Sequence, residues 1–446
     1  MGRNGLRPFD VRFALSIIGL TVAAWLLRGY FIYATVIELP IRGDARDYVL
    51  YAMNLLQHGV FSHAPPGAGT PAPDAFRGPG YPWFLFTSMW LDPDRWYALA
   101  LHAQALVGAL SATITALLGR HWLPKGWALA AGWLVAIWPH HVVATASLLS
   151  EVWLGFLLIL ALLLSAEAIS SRNSKWMLAS GTVVSLATLT SPVSLPFPLL
   201  LGFVYWREHL PRMGLAVIAI SLLGPGLWGL REIPPQSPAI PSRAAINLVQ
   251  GSWPRYHDAY LSRIVDPTAM AQLDEIGKEE ALLAANPRAG FHRIALRIAE
   301  NPGRYATWYL IQKPYLLWDW DIRLGAGDVY FHPPRHSPLE TNPVLHIIKR
   351  WLALLNPLIF AFSGVASLTL AMGWLARARW AHPAAATTGA FCLFVTGVHL
   401  VFQAEPRYSI AYRPMELLML ATALSGLLGT GTWRLLPKRI GHSSQI

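Results

Sequence analysis

The run from Phe13 to Ile37 is apolar except for Arg28, and it exceeds the roughly 20 residues a helix needs to cross a bilayer core. Windows of about 19 residues find further apolar stretches near 94–118, 126–139, 150–168, 176–190, 192–206, 213–230, 346–375, 383–403 and 408–432. Lipid offers no partner to an unpaired backbone N–H or C=O, so each stretch is expected to be helical. The sequence therefore predicts an all-α polytopic membrane protein, a bundle of about ten transmembrane helices. Composition agrees, since 54% of the 446 residues are hydrophobic and 13% are charged, outside the usage of soluble globular chains. The first run is longer than a signal-peptide core and no small-residue cleavage site follows it, so it is expected to stay as a span.

A formal charge of +11 invites a nucleic-acid reading, but the cations are placed for orientation instead. With Arg3, Arg7 and Arg12 in the cytoplasm, alternate loops carry Arg120 and Lys125, Arg172 and Lys175, Arg207 and Arg212, and Arg377 and Arg379, and the tail carries Arg434, Lys438 and Arg439. This is the positive-inside pattern, which also attracts anionic lipid. Membrane lipid is an expected partner and nucleic acid is not. Both termini are expected in the cytoplasm, with segments 40–93 and 231–345 outside. The chain divides into an N-terminal transmembrane module, 1–230, that includes the first outer loop 40–93, then an outer cap, 231–345, then C-terminal transmembrane helices, 346–446. Within the cap, Asp266 and Pro267 read as the N-cap and first residue of a helical stretch near 268–300. Cys392, the single cysteine, sits in an apolar run, which excludes a disulfide framework and a cysteine metal site. The cytoplasmic loops carry no GxGxxG or P-loop sequence, so no nucleotide is expected.

Unusual polar chemistry gathers at the outer lip. In "RGDARDYVLYAMNLLQHGVFS", residues 42–62, Asp47, Tyr51, Asn54 and His58 share a helical face with Asp44 close by, Val49, Ala52, Met53 and Leu56 lie opposite, and Gly59 ends the helix. This pattern describes an interfacial helix with its apolar face toward lipid. A poorly hydrated carboxylate there has its pKa raised toward what a general base needs. The same residues also suit solvated charges paired locally with Arg42 and Arg46. In "PDAFRGPGYPWFLF", residues 73–86, Arg77 precedes a stiff turn, and a guanidinium at headgroup level suits either a lipid-linked phosphate or plain snorkelling to phospholipid. "WPHHVVATASLLSEVWLGFLL", residues 138–158, sets Glu151 at the lip of a span, where an ionisable group faces the bundle interior or a cavity. The neighbouring His140 and His141 point to different sides of a helix and are weak metal candidates. "QAEPRYSIAYRPMELLMLA", residues 403–421, brings Glu405, Arg407, Tyr408 and Arg413 to the mouth of the last span. "NPGRYATWYLIQKPYLLWDWD", residues 301–321, brings Lys313 and aromatic rings that suit a sugar or an interface belt.

Taken together these stretches resemble the GT-C membrane glycosyltransferases, in particular the bacterial relatives of the protein O-mannosyltransferases and of the lipid A aminoarabinose transferases. The resemblance rests on Gly43-Asp44 to Asp47-Tyr48 followed by "YAMNLLQHGVFS", on "RGPGYP" at 77–82, on "SLLSE" at 147–151 and on "EPRYSIAYRP" at 405–414. It is weak over 231–345. It implies a GT-C-like bundle with interfacial helices in the first outer loop and a small outer cap. It further implies a polyprenyl-phosphate-linked sugar donor, an acceptor hydroxyl on a lipid, glycan or protein, and transfer with inversion on the periplasmic face of a bacterial inner membrane. On this sequence the implied base is Asp44, with Asp47 orienting it or the acceptor and Glu151 competing for the role. Arg77, Tyr48, Lys313, Arg407 and Tyr408 are the implied contacts to lipid phosphate and sugar. Many relatives have an acid directly after the first Asp, whereas here Ala45 follows Asp44 and the second acid comes at Asp47. No cofactor is required by this chemistry, a divalent metal stays open, and no soluble domain is expected after the last span. Two alternatives remain at this stage. One is a lipid-linked glycan flippase or transporter, which the lack of repeated halves disfavours; the other is an oligosaccharide polymerase or ligase with a similar outer site.

Overall fold

The computed structural model describes residues 10–67, 69–231 and 242–430. Arg3, Arg7, Arg434, Lys438 and Arg439 of the charge pattern lie outside them. The chain begins with α1 (Val11–Ala34), α2 (Asp44–His58), α3 (Gly80–Leu91), α4 (Trp96–Gly119), α5 (Lys125–Ile137) and α6 (Pro139–Ala144). It continues with α7 (Glu151–Ser171), α8 (Ser174–Thr190), α9 (Phe197–Arg207) and α10 (Pro211–Gly229). Shorter helices follow: α11 (Arg243–Gly251), α12 (Tyr256–Ser262), α13 (Pro267–Ala285), α14 (Pro287–Glu300), α15 (Pro302–Thr307), α16 (Lys313–Leu317) and α17 (Pro338–Thr341). Last come α18 (Pro343–Leu375), α19 (Pro383–Val401), α20 (Pro406–Ser409) and α21 (Arg413–Leu427).

Among the described residues, six helices are long and apolar enough to cross a membrane: α1, α4, α7, α10, α18 and α19. The other four apolar windows form shorter helices, α5 of 13 residues, α8 of 17, α9 of 11 and α21 of 15. The ten expected stretches, some of them short, are thus six long helices and four short ones. Proline is the local cause, because it cannot continue a helix that precedes it. Pro124 and Pro139 bracket α5, Pro192 and Pro196 separate α8 from α9, and Pro406 opens the short α20 that precedes α21. A short helix is tolerable where protein surrounds it, and every residue of α21 from Arg413 to Ala421 is buried.

Close packing in the bundle rests on small residues. α4 packs against α1, α5 and α7, and its Ala105, Ala109, Ala112 and Ala116 are fully buried at helical spacing, which lets backbones approach. Lys125, at the start of α5, forms an ion pair with Asp10 before α1. Near the other end of α1, buried Arg28 donates to the Ala24 and Ala136 carbonyls at 3.0 Å each and to Val135 O at 3.2 Å. α1 and α5 therefore run parallel, and the one charge inside the first apolar run closes the last turn of α5, where a cation is favoured.

The Arg28 ends of these helices carry α2, α3 and the segment from α11 to α17. A two-residue antiparallel pairing of β1 (Val36–Ile37) with β2 (Pro334–Arg335) ties that segment to the end of α1. Asp266 caps α13 through Thr268 N at 2.8 Å, as the sequence led us to expect, while Asn286 and Pro287 divide the 268–300 stretch into α13 and α14. Inside it, Arg297 grips Glu279 through two bonds of 3.0 Å. α2 departs from expectation. Its Val49 and Ala52, expected to meet lipid, are buried in the protein, and α2 packs on α3. Part of its polar face is covered too, since Tyr51 and Asn54 are buried and Asn54 donates to Ser62 O and Ala64 O at 2.8 and 3.0 Å, while His58 stays exposed. Helical periodicity separates the two faces but does not say what covers each.

Gly108 of α4 lies against Arg28, and a Cβ there would meet Nε at 2.7 Å and Cδ at 3.2 Å. Gly108→Ala is expected to lower stability by about 1–3 kcal/mol through overpacking, read as a fall in Tm. Gly126→Ala in α5, with nothing within 4 Å of its Cβ, should leave Tm unchanged or raise it.

Candidate active site

Asp44 and Asp47 stand in the first turn of α2, where the helix end favours anions. The chain from Gly59 to Arg77 folds back over this turn. Asp74 holds it, accepting from His63 N at 2.9 Å, from Phe76 N at 3.1 Å and from the Tyr51 hydroxyl, with the His63 ring Nδ1 at 2.7 Å. The Tyr51 hydroxyl in turn accepts from Arg77 N at 3.3 Å. Gly78 and Gly80 then lie directly on the end of α8, where a Cβ on Gly80 would stand 2.7 Å from Thr190 N. The "RGPGYP" sequence is therefore a close-approach turn that delivers the Arg77 side chain to α2.

That side chain joins both aspartates. Arg77 Nε and Nη2 donate to Asp47 Oδ2 at 3.1 and 2.7 Å, and Nη2 reaches Asp44 Oδ1 at 2.5 Å. From the far side, Arg407 of α20 places Nη2 2.9 Å from Asp44 Oδ2 and Nε 2.5 Å from Glu151 Oε1 at the start of α7. The result is one continuous series, Asp47–Arg77–Asp44–Arg407–Glu151, of alternating sign. The second oxygen of Glu151 is buried without a partner. Burial alone would raise the pKa of Asp44, but the guanidiniums of Arg407 and Arg77 outweigh it and hold the carboxyl well below the usual carboxylate range. The expectation of a raised pKa fails because it counted desolvation and not the two cations.

Arg77, Asp44, Arg407 and Glu151 of the series form one wall of a cavity of about 360 Å³, which Asp47 does not line but reaches through its bond to Arg77. Leu154, Val193, Leu195, Val398 and Phe402 give the rest an apolar lining. Tyr48, whose hydroxyl lies 3.3 Å from Ser150 Oγ, and Tyr408, whose hydroxyl donates to Gln403 Oε1 at 3.0 Å, also line it. So does Arg243, the first residue of α11, its guanidinium 5.3 Å from the Phe76 ring centre. Sequence reading missed Arg243. Its only local signal is Ser242 as an N-cap, and nothing nearby in the chain points it toward α2.

Seven of the residues singled out from the sequence thus meet here: Asp44, Asp47, Tyr48, Arg77, Glu151, Arg407 and Tyr408. Lys313 does not. It is fully buried behind α11, donating to Gly251 O at 3.0 Å and Leu400 O at 2.6 Å, and it does not line the cavity. His140 is also diverted, its Nε2 2.8 Å from the Trp320 carbonyl, and His141 is buried beside it. Among the described residues no group of three or more His, Cys, Asp or Glu side chains is placed to hold a metal ion. Each of the three site carboxylates already pairs with Arg77 or Arg407 through at least one oxygen. Arg413 is a buried anchor, bonded to Asn356, Glu416 and the Trp318 and Asp319 carbonyls. Glu405 accepts from Leu324 N at 2.9 Å, and burial pushes its carboxyl up to about 7.

No protein-family model and no curated protein matches the chain. Solved structures do. The oligosaccharyltransferase of Archaeoglobus fulgidus, tethered with an acceptor peptide containing the NVT sequon, aligns with a TM-score of 0.53 at 15% identity over 95% of this chain and 50% of that one. The same enzyme, AglB, in complex with an inhibitory peptide and a dolichol-phosphate, aligns at 0.52, 15% identity, 94% of this chain and 51% of that one. ArnT from Cupriavidus metallidurans bound to undecaprenyl phosphate aligns at 0.43 and 15% identity over 93% of this chain and 60% of that one. The chain spans about half the length of the oligosaccharyltransferase. At such identity the likeness shows the fold, and the chain has the GT-C fold that its sequence motifs resemble.

Proposed function

We propose that this protein is a membrane glycosyltransferase that moves a sugar from a polyprenyl-phosphate-linked donor to an acceptor hydroxyl, with inversion at the sugar carbon. The observation that carries the reading is the run Arg77–Asp44–Arg407–Glu151 on the wall of an otherwise largely apolar cavity, with Asp47 paired to Arg77 outside the lining. A lipid phosphate requires cations beside an apolar surface, and an attacking hydroxyl requires a carboxylate beside the sugar carbon. That the oligosaccharyltransferase of the same fold was solved with a dolichol-phosphate supports a lipid-phosphate donor here.

A sugar on a lipid phosphate already carries a good leaving group, so the protein must supply a base and cations but little general acid. The donor phosphate takes Arg407 and Arg77 as partners, with Arg243 at the same cavity. As its oxygens draw the guanidiniums, Asp44 loses the two partners that depress its pKa and becomes an effective base. The acceptor O–H gives its proton to Asp44 and its oxygen bonds to the sugar carbon. On the opposite face the bond from that carbon to the phosphate oxygen breaks and the lipid phosphate departs. Asp47 keeps Arg77 over the first turn of α2, and Glu151 keeps Arg407 in line. In this reading the site faces the periplasm of a bacterial inner membrane, both termini are cytoplasmic, and 231–345 is an outer cap between the modules 1–230 and 346–446.

Asp44→Asn retains size and most hydrogen bonding but cannot take a proton. It should lower kcat by a factor of roughly 10² or more while donor KM changes little, and Asp47→Asn should cost less. An active Asp44→Asn beside an inactive Glu151→Gln would transfer the role of base to Glu151. The pH profiles give a second check. Asp44 must be ionised to act, so activity falls as pH drops through its pKa. The acid limb should lie below the usual carboxylate range in kcat/KM, which reports the free enzyme, and at higher pH in kcat, which reports the donor complex. Coincident limbs would remove the exchange of arginines from the mechanism. For topology, single cysteines in a Cys392→Ser background are decisive. Lys278→Cys should react with an impermeant thiol reagent in intact cells and Lys175→Cys only after permeabilisation, and the reverse pattern would overturn the orientation.

A further inference from the structure

A second cavity, of about 240 Å³, lies in the segment between α11 and α18 and shares no lining residue with the first. His257 of α12 lines it, as do Trp308 and Gln312 from the π-helical segment before α16, Tyr315 of α16, and then Asp319 and Arg323. His257 is only 8% exposed and its Nε2 is buried without a hydrogen-bond partner among the described residues. Burial keeps the ring well below its ordinary pKa, at about 4, so that at neutral pH it offers one donor and one acceptor. An orphaned buried nitrogen costs free energy, and a ligand hydroxyl recovers it only if the His257 ring turns toward the cavity that the residue lines.

The charges around this cavity cancel locally. Arg323 Nη2 lies 3.1 Å from Asp319 Oδ2, and Arg255 pairs with Asp258 at 3.7 Å. Neither a phosphate nor a cation has an uncompensated charge to meet. What remains is a set of mixed donors and acceptors from His257, Gln312, Asp319 and Arg323 beside the aromatic surface of Trp308 and Tyr315. The volume is below the roughly 300 Å³ at which pockets for drug-sized ligands begin. We infer that this cavity holds one neutral saccharide ring, as a glycan-recognition subsite separate from the point of transfer.

The two cavities are joined by α11. Its first residue, Arg243, lines the first, and the carbonyl of its last, Gly251, accepts from both Trp308 Nε1 and Lys313 Nζ at 3.0 Å. Eight residue steps of helix separate those ends, about 12 Å. A ligand that reached both cavities would have to span that distance, which exceeds one sugar ring. That the ring belongs to a transfer substrate rests on the proposed function; that the cavity takes a saccharide does not.

The test is saturation-transfer NMR on the full chain in nanodiscs free of glycoside detergent, with a panel of methyl pyranosides as probes. Wild type and Asp44→Asn should both give saccharide signals. His257→Phe, and the surface changes Gln312→Ala and Tyr315→Ala that leave the core untouched, should reduce them at least fivefold. No signal from any pyranoside, or signals lost in Arg77→Ala and retained in the three cap variants, would overturn the proposal. Signals that behave as expected in a protein without transferase activity would leave the subsite standing and remove the proposed function. In turnover assays, Gln312→Ala should raise KM for whichever substrate carries the ring, donor or acceptor, with kcat unchanged, and an unchanged KM for both would also overturn it.

Discussion

Each of two guanidiniums, Arg77 and Arg407, bridges a pair of carboxylates, and the surrounding chain is arranged so that they can. All three acids belong to first turns, Asp44 and Asp47 of α2 and Glu151 of α7, where the helix end favours anions before any cation arrives. Both cations come from elements built to present them. Arg77 ends a loop locked onto Asp74, and Arg407 sits in the short α20 behind Pro406. Removing a partner from such a series leaves a partly desolvated charge uncompensated, which for buried pairs costs about 3–5 kcal/mol. The site and the local fold are thus the same set of bonds.

This has a chemical consequence. In the resting protein the basicity of Asp44 is suppressed by Arg407 and Arg77, the cations that a phosphate would use under the proposed reaction. Under the proposed reaction, donor binding and base activation become one event, because the guanidiniums cannot serve Asp44 and the phosphate equally. Arg243, which enters the cavity from α11, adds positive charge without belonging to the series. It brings the segment after α10 into the site that α2, α7 and α20 build.

Other cations of the same types are spent differently. Arg28 and Arg413 bond backbone carbonyls, at Val135 and Ala136 for the first and at Trp318 and Asp319 for the second, and Lys313 bonds those of Gly251 and Leu400. A carbonyl at a chain turn is fixed by the backbone, so a cation bound to it works as an internal strut. A carboxylate that faces a cavity can change partner when a ligand arrives. That distinction separates Arg77 and Arg407 from Lys313, although all three drew the same functional reading from sequence.

Much of this was legible in the chain by itself. Apolar runs of bilayer length, the stop of α2 at Gly59 and the Asp266–Pro267 start of α13 follow from lipid partitioning, turn conformation and capping, all of which act over a few residues. The polar motifs at 44–48, 77–82, 147–151 and 405–414 also marked seven residues that do share one site. What only the tertiary structure decided is the choice of partner. Arg407 and Glu151 are 256 positions apart, and no periodicity links them. Whether Lys313 faces a cavity or a carbonyl, whether Val49 meets lipid or α3, and whether the pKa of Asp44 rises or falls all depend on which distant group arrives within a few ångströms. Electrostatic and packing energies are set at that distance, whereas sequence patterns report only on neighbours along the chain.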